Sequence, residues 1–338
     1  MLNGKELDEL GILDWLALAN RFRRSDLLLG NGFSISLTPR LDYRSLFNKF
    51  LANCSTKNRR IFKSFDTTNF EFILERLSNA KDVNRIFKIR AGEIEDAIDH
   101  LKDGLIKTIQ DVHPRWTETD QQQLERIADQ LNRFNDIFTL NYDLYLYRII
   151  LILNDKHRRG EEVREYSDYF WTDYDTKFVR FDPSTEYKGY RHPYYLHGVL
   201  FLFKESFYDY DLKLRKANSP GELLEVISES IKEGRMPLFV SEGTPEQKRQ
   251  AINRSHYLTF ALEKLEQSNK GLVIFGTSLS EPDRHIIDAI NRNERDLAVS
   301  IHIGAKSKDE VKSAKYQIKS KFPRHKVVFF NSKTLFDF

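Results

Sequence analysis

Apolar residues along this 338-residue chain are gathered into short unbroken runs rather than spread in strict alternation. Such runs are typical of strands buried on both faces, as in a parallel sheet covered by helices. Helical patterns separate many of the runs, so the order predicts an α/β fold, a Rossmann-like doubly wound parallel sheet with helical insertions. The predicted strands are 26–30, 136–140, 194–203, 237–240, 271–276, 298–304 and 326–331.

The chain between the first two predicted strands is too long for a simple crossover connection. Residues 45–133 carry mostly helical patterns and predict a helical subdomain, in which TNFE at 68–71 has the spacing of a capping box. A smaller helical insert is predicted at 205–232, and the stretch 156–191, rich in Tyr, Asp and Phe, predicts a loop or lid. No repeat or low-complexity linker interrupts the pattern, so residues 1–338 are expected to form a single domain.

Charge and cysteine content narrow the class of protein. With 53 basic and 50 acidic residues and a net charge of +3, no bias toward nucleic acid is expected, and the basic segment 306–326 favours a solvated helix face. Cys54 is the only cysteine, which excludes an intrachain disulfide and a thiolate zinc site, and no metal is expected. The acidic N-terminus lacks the order of a signal peptide, and the apolar run 149–153 is too short to cross a bilayer. We therefore expect a cytoplasmic protein without membrane association.

Polar residues follow four of the predicted strands, and ligands bind at the carboxyl ends of the strands in a doubly wound sheet. After the first strand come Gly30 and Gly32, which let the backbone approach a ligand, and Ser34, which could cap the next helix or donate to a phosphate. The same stretch fits a plain turn between a strand and a helix equally well. It lacks the Gly-Lys-Ser/Thr ending of a P-loop and the third glycine of a dinucleotide fingerprint.

Two further strand ends carry an amide, a carboxylate and an imidazole. Asn141 and Asp143 are two residues apart, so both point to one side of an extended chain, although an Asx turn at a helix start also explains them. His197 precedes a glycine that frees the backbone, and a satisfied core histidine is the other interpretation.

The fourth strand end combines a glycine with two hydroxyls at Gly276, Thr277 and Ser278. The sequence SEPD at 280–283 then predicts a capping box, with apolar residues at helical spacing after it. A glycine and hydroxyls before a helix favour a phosphate or ribose site.

In sequence and order, these motifs resemble the sirtuin superfamily, whose patterns are GAGxS, TxNxD, HG and GTSL. The corresponding stretches of this chain are GNGFS at 30–34, TLNYD at 139–143, HG at 197–198 and GTSL at 276–279. The match spans about residues 27–279 and is closest to bacterial sirtuin-like proteins of anti-phage defence, many of which hydrolyse NAD. The four-cysteine zinc module of deacetylase sirtuins is absent, and Asn31 stands where the family usually has alanine.

The resemblance implies a role for each motif, with NAD as the substrate. Asn141 and Asp143 would lie beside the nicotinamide ribose, and His197 would be the general base. Breaking the glycosidic bond builds positive, oxocarbenium-like charge on the ribose, which an amide oxygen or a carboxylate stabilises. A histidine with an ordinary pKa of ~6.5 can deprotonate water at neutral pH. The residues implied to hold the pyrophosphate and the adenosine ribose are Gly30, Asn31, Gly32, Phe33, Ser34, Gly276, Thr277 and Ser278.

Three functions follow from these residues and the resemblance. The leading one is an NAD hydrolase (NADase) that releases nicotinamide and ADP-ribose as an effector of anti-phage defence. The second is a module that senses NAD or ADP-ribose without turnover, against which the combination of amide, carboxylate and imidazole argues. The third is NAD-dependent protein deacylation or ADP-ribosylation. The resemblance also implies a homo-oligomer or a defence partner, such as a DNA-translocating ATPase or a sensor protein, and no direct binding of nucleic acid is expected.

Overall fold

A computed structural model describes residues 2–41, 46–52, 54–68, 70–171, 176–184, 189–205, 210–215, 220–240 and 244–336. The strands in these ranges are β1 (Ile12–Leu13), β2 (Asp26–Leu29), β3 (Ile137–Thr139), β4 (Phe170–Trp171), β5 (Phe178–Phe181), β6 (Pro193–Tyr195), β7 (Gly198–Glu205), β8 (Tyr210–Leu214), β9 (Pro237–Phe239), β10 (Leu272–Phe275), β11 (Asp296–Ile301) and β12 (Lys326–Asn331).

The helices in the same ranges are α1 (Gly4–Glu9), α2 (Trp15–Leu18), α3 (Asn31–Leu37), α4 (Leu46–Ala52), α5 (Thr56–Ser64), α6 (Phe70–Ile86), α7 (Gly92–Val112), α8 (Gln121–Leu131), α9 (Tyr145–Arg158), α10 (Pro220–Lys232), α11 (Pro245–Asn253), α12 (His256–Gln267), α13 (Arg284–Ile290) and α14 (Lys308–Lys321). Short 3-10 helices lie at Pro39–Leu41, Trp116–Glu118, Glu281–Asp283 and Ser332–Thr334.

The central feature is a parallel sheet with the strand order β1-β12-β11-β10-β2-β3-β6. The chain runs outward from β2 through β3 to β6, then returns to the other side of β2 and runs through β10, β11 and β12. Apart from the extra edge strand β1, this is the strand order of a Rossmann fold. The predicted α/β doubly wound sheet is confirmed, and the order reverses between β2 and β10.

A second sheet, which the sequence did not predict, is antiparallel with the order β4-β5-β8-β7-β9. The single strand predicted at 194–203 is wrong: β6 belongs to the parallel sheet and β7 to the second sheet. The break falls at Gly198, whose φ of +75° turns the chain from one sheet into the other. The run predicted at 237–240 pairs with β7 in the second sheet, and the loop predicted at 156–191 supplies β4 and β5.

Between β2 and β3 the described elements are all helical, from α3 to α8. Of the helical insert predicted at 205–232, α10 is helical as predicted, and residues 206–209 and 216–219 lie outside the described residues. Residues 210–214 instead form β8, because they pair with β7 and bury Leu212 and Leu214. The capping box predicted at 68–71 includes Asn69, which lies outside the described residues.

Burial follows the unbroken apolar runs of the sequence. Every residue of β2 and β10 is buried, as expected for strands covered on both faces. Among the described residues, every helix is too short or too polar to cross a lipid bilayer.

Candidate functional site

The carboxyl ends of β2, β3, β6 and β10 surround a cavity of about 390 Å³, a size within the ~300–1,000 Å³ typical of small-ligand sites. It lies at the reversal of strand order between β2 and β10, where ligands of doubly wound sheets bind. The cavity is lined by Asn31, Leu41, Leu46, Phe47, Phe70, Leu140, Asn141, Tyr142, Asp143, His197, Phe239, Val240, Lys248, Gly276, Thr277, Ser278, Ser280 and Asp283.

The sequence-predicted site residues divide into two groups. Those that line the cavity are Asn31, Asn141, Asp143, His197, Gly276, Thr277 and Ser278. Those that do not line it are Gly30, Gly32, Phe33 and Ser34. The motifs at the ends of β3, β6 and β10 therefore face the same space, and the glycine motif after β2 contributes only through Asn31.

Gly30 and Gly32 pack against the loop after β10. The Gly30 amide donates to the Phe275 carbonyl at 2.8 Å, and the Gly32 amide donates to the Gly276 carbonyl at 2.7 Å. A Cβ on Gly32 would lie 2.8 Å from the Cα of Gly276, and one on Gly30 would lie 2.4 Å from the Cβ of Thr277. The close approach that requires glycine is thus between two loops of the protein, and the two amides are occupied by backbone carbonyls instead of being free for the pyrophosphate that the resemblance implies.

Phe33 and Ser34 also act inside the protein. The Phe33 ring is buried and makes edge contacts with Phe275 and Phe336. Helix α3 begins at Asn31 with Gly30 as its N-cap, so Ser34 lies within the helix and does not cap it. The predicted capping role of Ser34 is wrong because the helix begins one turn earlier than expected.

Ser34 instead joins the two polar residues that follow β3. Its hydroxyl donates to Asp143 Oδ2 at 2.5 Å and accepts from Asn141 Nδ2 at 2.8 Å. The other Nδ2 hydrogen of Asn141 goes to the Gly30 carbonyl at 3.0 Å. Because the single Ser34 proton is donated to Asp143, the amide must face Ser34 with its nitrogen. The Oδ1 atom of Asn141 is therefore the polar atom left to face the cavity.

Asp143 is an acceptor in a buried position. Its Oδ1 accepts from the Tyr145 amide at 2.8 Å, which is the Asx turn expected at the start of α9. Burial raises the pKa of the Asp143 carboxyl, while hydrogen bonds from Ser34 and Tyr145 and the charge of Arg148 oppose that rise. Asp143 therefore forms the Asx turn at the start of α9 and also lines the cavity.

His197 is paired with a second histidine. Its Nε2 lies 2.9 Å from Nε2 of His285, and both rings are buried. Burial, followed by the charge of Lys248, holds the pKa of His197 well below its usual range. Burial likewise lowers the pKa of His285 to about 4. Both imidazoles are therefore neutral at neutral pH.

An ion pair closes the cavity beside the histidines. Lys248 Nζ of α11 lies 2.7 Å from Asp283 Oδ1, with both side chains largely buried. Lys248 lowers the pKa of both histidines, and Asp283 raises that of His285. The pair places a cation next to the imidazoles, and the Asp283 carboxylate compensates its charge.

Aromatic side chains also line the cavity. Phe47 of α4 and Phe70 of α6 meet edge to face with centroids 5.7 Å apart, and Tyr142 lies 5.8 Å from Phe239. The helical block therefore supplies part of the site. Such a lining suits a planar ring.

The loop after β10 is fixed by hydrogen bonds to β11 and α14. Gly276 has a φ of +73°, and its amide donates to Ser300 Oγ at 3.1 Å. Lys321 of α14 donates to the Leu279 carbonyl at 2.7 Å, so one lysine of the basic segment has a structural role.

The capping box predicted at 280–283 is wrong, because the Ser280 side chain makes no capping hydrogen bond and a 3-10 helix begins there.

Buried histidines predict acid sensitivity. Burial lowers the pKa of His113 to about 4, whereas the unfolded chain binds a proton near ~6.5. The unfolded state therefore takes up more protons between these values, and the free energy of unfolding falls with pH through that window, by about 3 kcal/mol for this histidine at pH 4. We expect urea unfolding at pH 7.5, 6 and 5 to show this loss. The wild type should lose more stability than His113→Leu as pH falls, and equal losses in the two proteins would contradict the assignment.

Sequence reasoning missed His285, Lys248 and Asp283. Asp283 was assigned only to a helix cap, and neither His285 nor Lys248 belongs to a motif. The only signal in the sequence for these residues is a polar side chain that follows soon after the end of a strand that carries a motif. Across the described ranges, no group of three or more His, Cys, Asp or Glu side chains is arranged to hold a metal ion.

Chemically, the cavity combines a fixed amide oxygen, a buried carboxyl and a neutral imidazole with several aromatic rings. No curated protein matches the chain. One family model, described as Domain of unknown function (DUF4917), matches residues 27–335, which is nearly the whole sequence. The chain therefore belongs to the DUF4917 family, a family whose function is not known.

Proposed function

We propose that this protein is an NAD hydrolase that cleaves the bond between nicotinamide and ribose. The observation that carries the proposal is that Asn141, Asp143 and His197 together line one cavity, which lies at the reversal of strand order. These side chains come from the ends of two neighbouring strands, and the same edge of the sheet binds dinucleotides in Rossmann folds. The sequence resemblance to sirtuin-like NAD hydrolases supports the same substrate.

The polar side chains suit the charge changes of this reaction. The glycosidic bond breaks with its electron pair going to the nicotinamide nitrogen, and positive charge builds on the ribose. The Oδ1 of Asn141 is oriented in advance by Ser34 and Gly30, and Asp143 adds a buried carboxyl. Groups fixed in this way stabilise developing charge without rearrangement.

His197 supplies the base. A water molecule attacks the ribose carbon, forming a carbon–oxygen bond as the bond to nicotinamide breaks, and gives its proton to the imidazole. Because burial holds the pKa of His197 well below its usual range, the ring is neutral at physiological pH and carries the lone pair that a base needs. The products are nicotinamide, ADP-ribose and a proton, which the histidine later releases to solvent.

The aromatic side chains suit the planar nicotinamide ring. Phe47, Phe70, Phe239 and Tyr142 are available for contact with it. In the cell, the proposal is that such cleavage depletes NAD during phage infection, under the control of self-assembly or of a sensor or ATPase partner.

Incubation of the purified protein with NAD, alone and with lysate of phage-infected cells, tests the proposal. We expect nicotinamide and ADP-ribose to appear in equal amounts, measured by liquid chromatography. Tight NAD binding without product under every condition would overturn the proposal in favour of a sensor. Nicotinamide that appears together with modified protein, rather than free ADP-ribose, would instead indicate group transfer.

A further inference from the structure

The contact between His197 and His285 limits the protonation state of both rings. Their Nε2 atoms lie 2.9 Å apart, with ring centroids separated by 5.1 Å. A hydrogen bond between two imidazole nitrogens requires one N–H and one lone pair, so both rings cannot carry a proton at this position. The pair therefore exists in one of two arrangements, in which either His197 or His285 donates.

The two arrangements present different atoms to the cavity. His197 lines the cavity and its Nε2 is occupied by His285, so Nδ1 is the ring nitrogen that remains for a ligand. If His197 donates from Nε2, its Nδ1 carries a lone pair and can act as a base. If His285 donates, Nδ1 of His197 carries a hydrogen and can only act as a donor.

We propose that His285 is a positioning residue that accepts the Nε2 hydrogen of His197 and so directs the basic Nδ1 of His197 toward the cavity. This inference rests on the proposed NAD cleavage, in which His197 accepts the proton of the attacking water. During that step Nδ1 gains the proton, the carbon–oxygen bond forms and the nicotinamide leaves with the electron pair. The Nε2 hydrogen stays donated to His285, which stabilises the imidazolium that forms.

The surroundings keep His285 neutral. The charged groups near the pair are Lys248 and Arg249 on α11 and Asp283 on the 3-10 helix before α13. Burial is the largest effect and lowers the pKa of His285, and the two cations lower it further. Asp283 raises it, but the result is still a pKa of about 4. The Nδ1 of His285 is buried without a hydrogen-bond partner within the described residues, so in the proposed tautomer it carries an unpaired N–H, and in the other tautomer an unpaired lone pair. The 2.9 Å contact therefore fits either arrangement, and the need for a basic Nδ1 on His197 is what selects the proposed one.

Kinetics of His285→Leu and His285→Gln test the positioning role. The leucine variant fills the space without an acceptor and is expected to lower kcat for NAD cleavage by roughly 10–100-fold with little change in KM. Its imidazolium is less stabilised, so the acid limb of the pH profile should move to lower pH. Glutamine provides an amide oxygen and should restore most of the rate and the pH limb. His192→Leu removes a buried histidine outside the cavity and serves as the matched control.

A spectroscopic measurement keeps the inference separate from the proposed function. Nitrogen-15 NMR of histidine-labelled protein distinguishes the two neutral tautomers, with the His197 signals assigned by their loss in His197→Gln. We expect His197 to carry its hydrogen on Nε2 in the wild type, and this result stands even if NAD is not the substrate. A hydrogen on Nδ1 would overturn the inference, as would equal rates in His285→Leu and the wild type, or stoichiometric zinc, which would mean that the two Nε2 atoms share a metal.

Discussion

Asn141→Ala is expected to lower kcat for NAD cleavage by about 100-fold or more, with little change in KM. Both amide hydrogens of Asn141 are donated inside the protein, to the Gly30 carbonyl and to Ser34 Oγ, which directs Oδ1 to the cavity. An oxygen fixed in this way acts on charge that appears only as the glycosidic bond breaks, so its loss affects the transition state more than the bound substrate. Initial rates of nicotinamide release across a range of NAD concentrations check this result.

Two further variants make the Asn141 result interpretable. Ser34→Ala keeps Asn141 but removes the hydroxyl that orients it, so we expect a smaller decrease in kcat. Asn154 makes two 2.8 Å hydrogen bonds to the backbone of Tyr166 and does not line the cavity, so Asn154→Ala should retain the wild-type kcat. Equal losses in Asn154→Ala and Asn141→Ala would point to general damage, and full activity in Asn141→Ala would remove this side chain from the chemistry.

The parallel sheet was predictable because its strands are buried on both faces. Continuous apolar runs mark β2, β3 and β10, and a polar residue marks the point where each run reaches the carboxyl edge of the sheet. Asn141 and His197 could therefore be assigned to one site before their distance in space was known.

The second sheet could not be predicted in the same way. The apolar run from Tyr194 to Phe203 continues through the point where the chain leaves one sheet for the other. Only the backbone at Gly198 records that change, and a glycine in a run has several possible causes. The strand β8 is likewise defined by its partner β7 rather than by its own short pattern.

The function of the first glycine motif also depends on long-range contacts. A glycine pair after a strand predicts a close approach but does not identify the approaching group. At Gly30 and Gly32 that group is the loop containing Gly276 and Thr277. The pairing of His197 with His285 is of the same kind, since 88 residues separate the two rings. Local spacing cannot supply such information.

Gly198→Ala is expected to have the largest effect on stability, lowering the free energy of unfolding by about 4 kcal/mol or more. Gly198 has a φ of +75°, which an L side chain rarely adopts, and a Cβ there would lie 1.9 Å from the Leu238 carbonyl oxygen. That oxygen belongs to the backbone of β9, so it cannot move aside as a flexible side chain would. The substitution would push β7 and β9 apart next to His197, and NAD cleavage should be lost with the fold.

Gly160→Ala separates the two causes of the Gly198→Ala effect. Gly160 has a similar φ of +82°, but nothing lies within 4 Å of a Cβ placed there. Its substitution therefore tests the backbone strain alone, which costs about 1–2 kcal/mol. Urea unfolding at neutral pH should place Gly160→Ala slightly below the wild type and Gly198→Ala far below it, or show that Gly198→Ala does not fold. Equal midpoints for the two variants would contradict the close packing of Gly198 against β9, and with it the proposed reason for a glycine directly after His197.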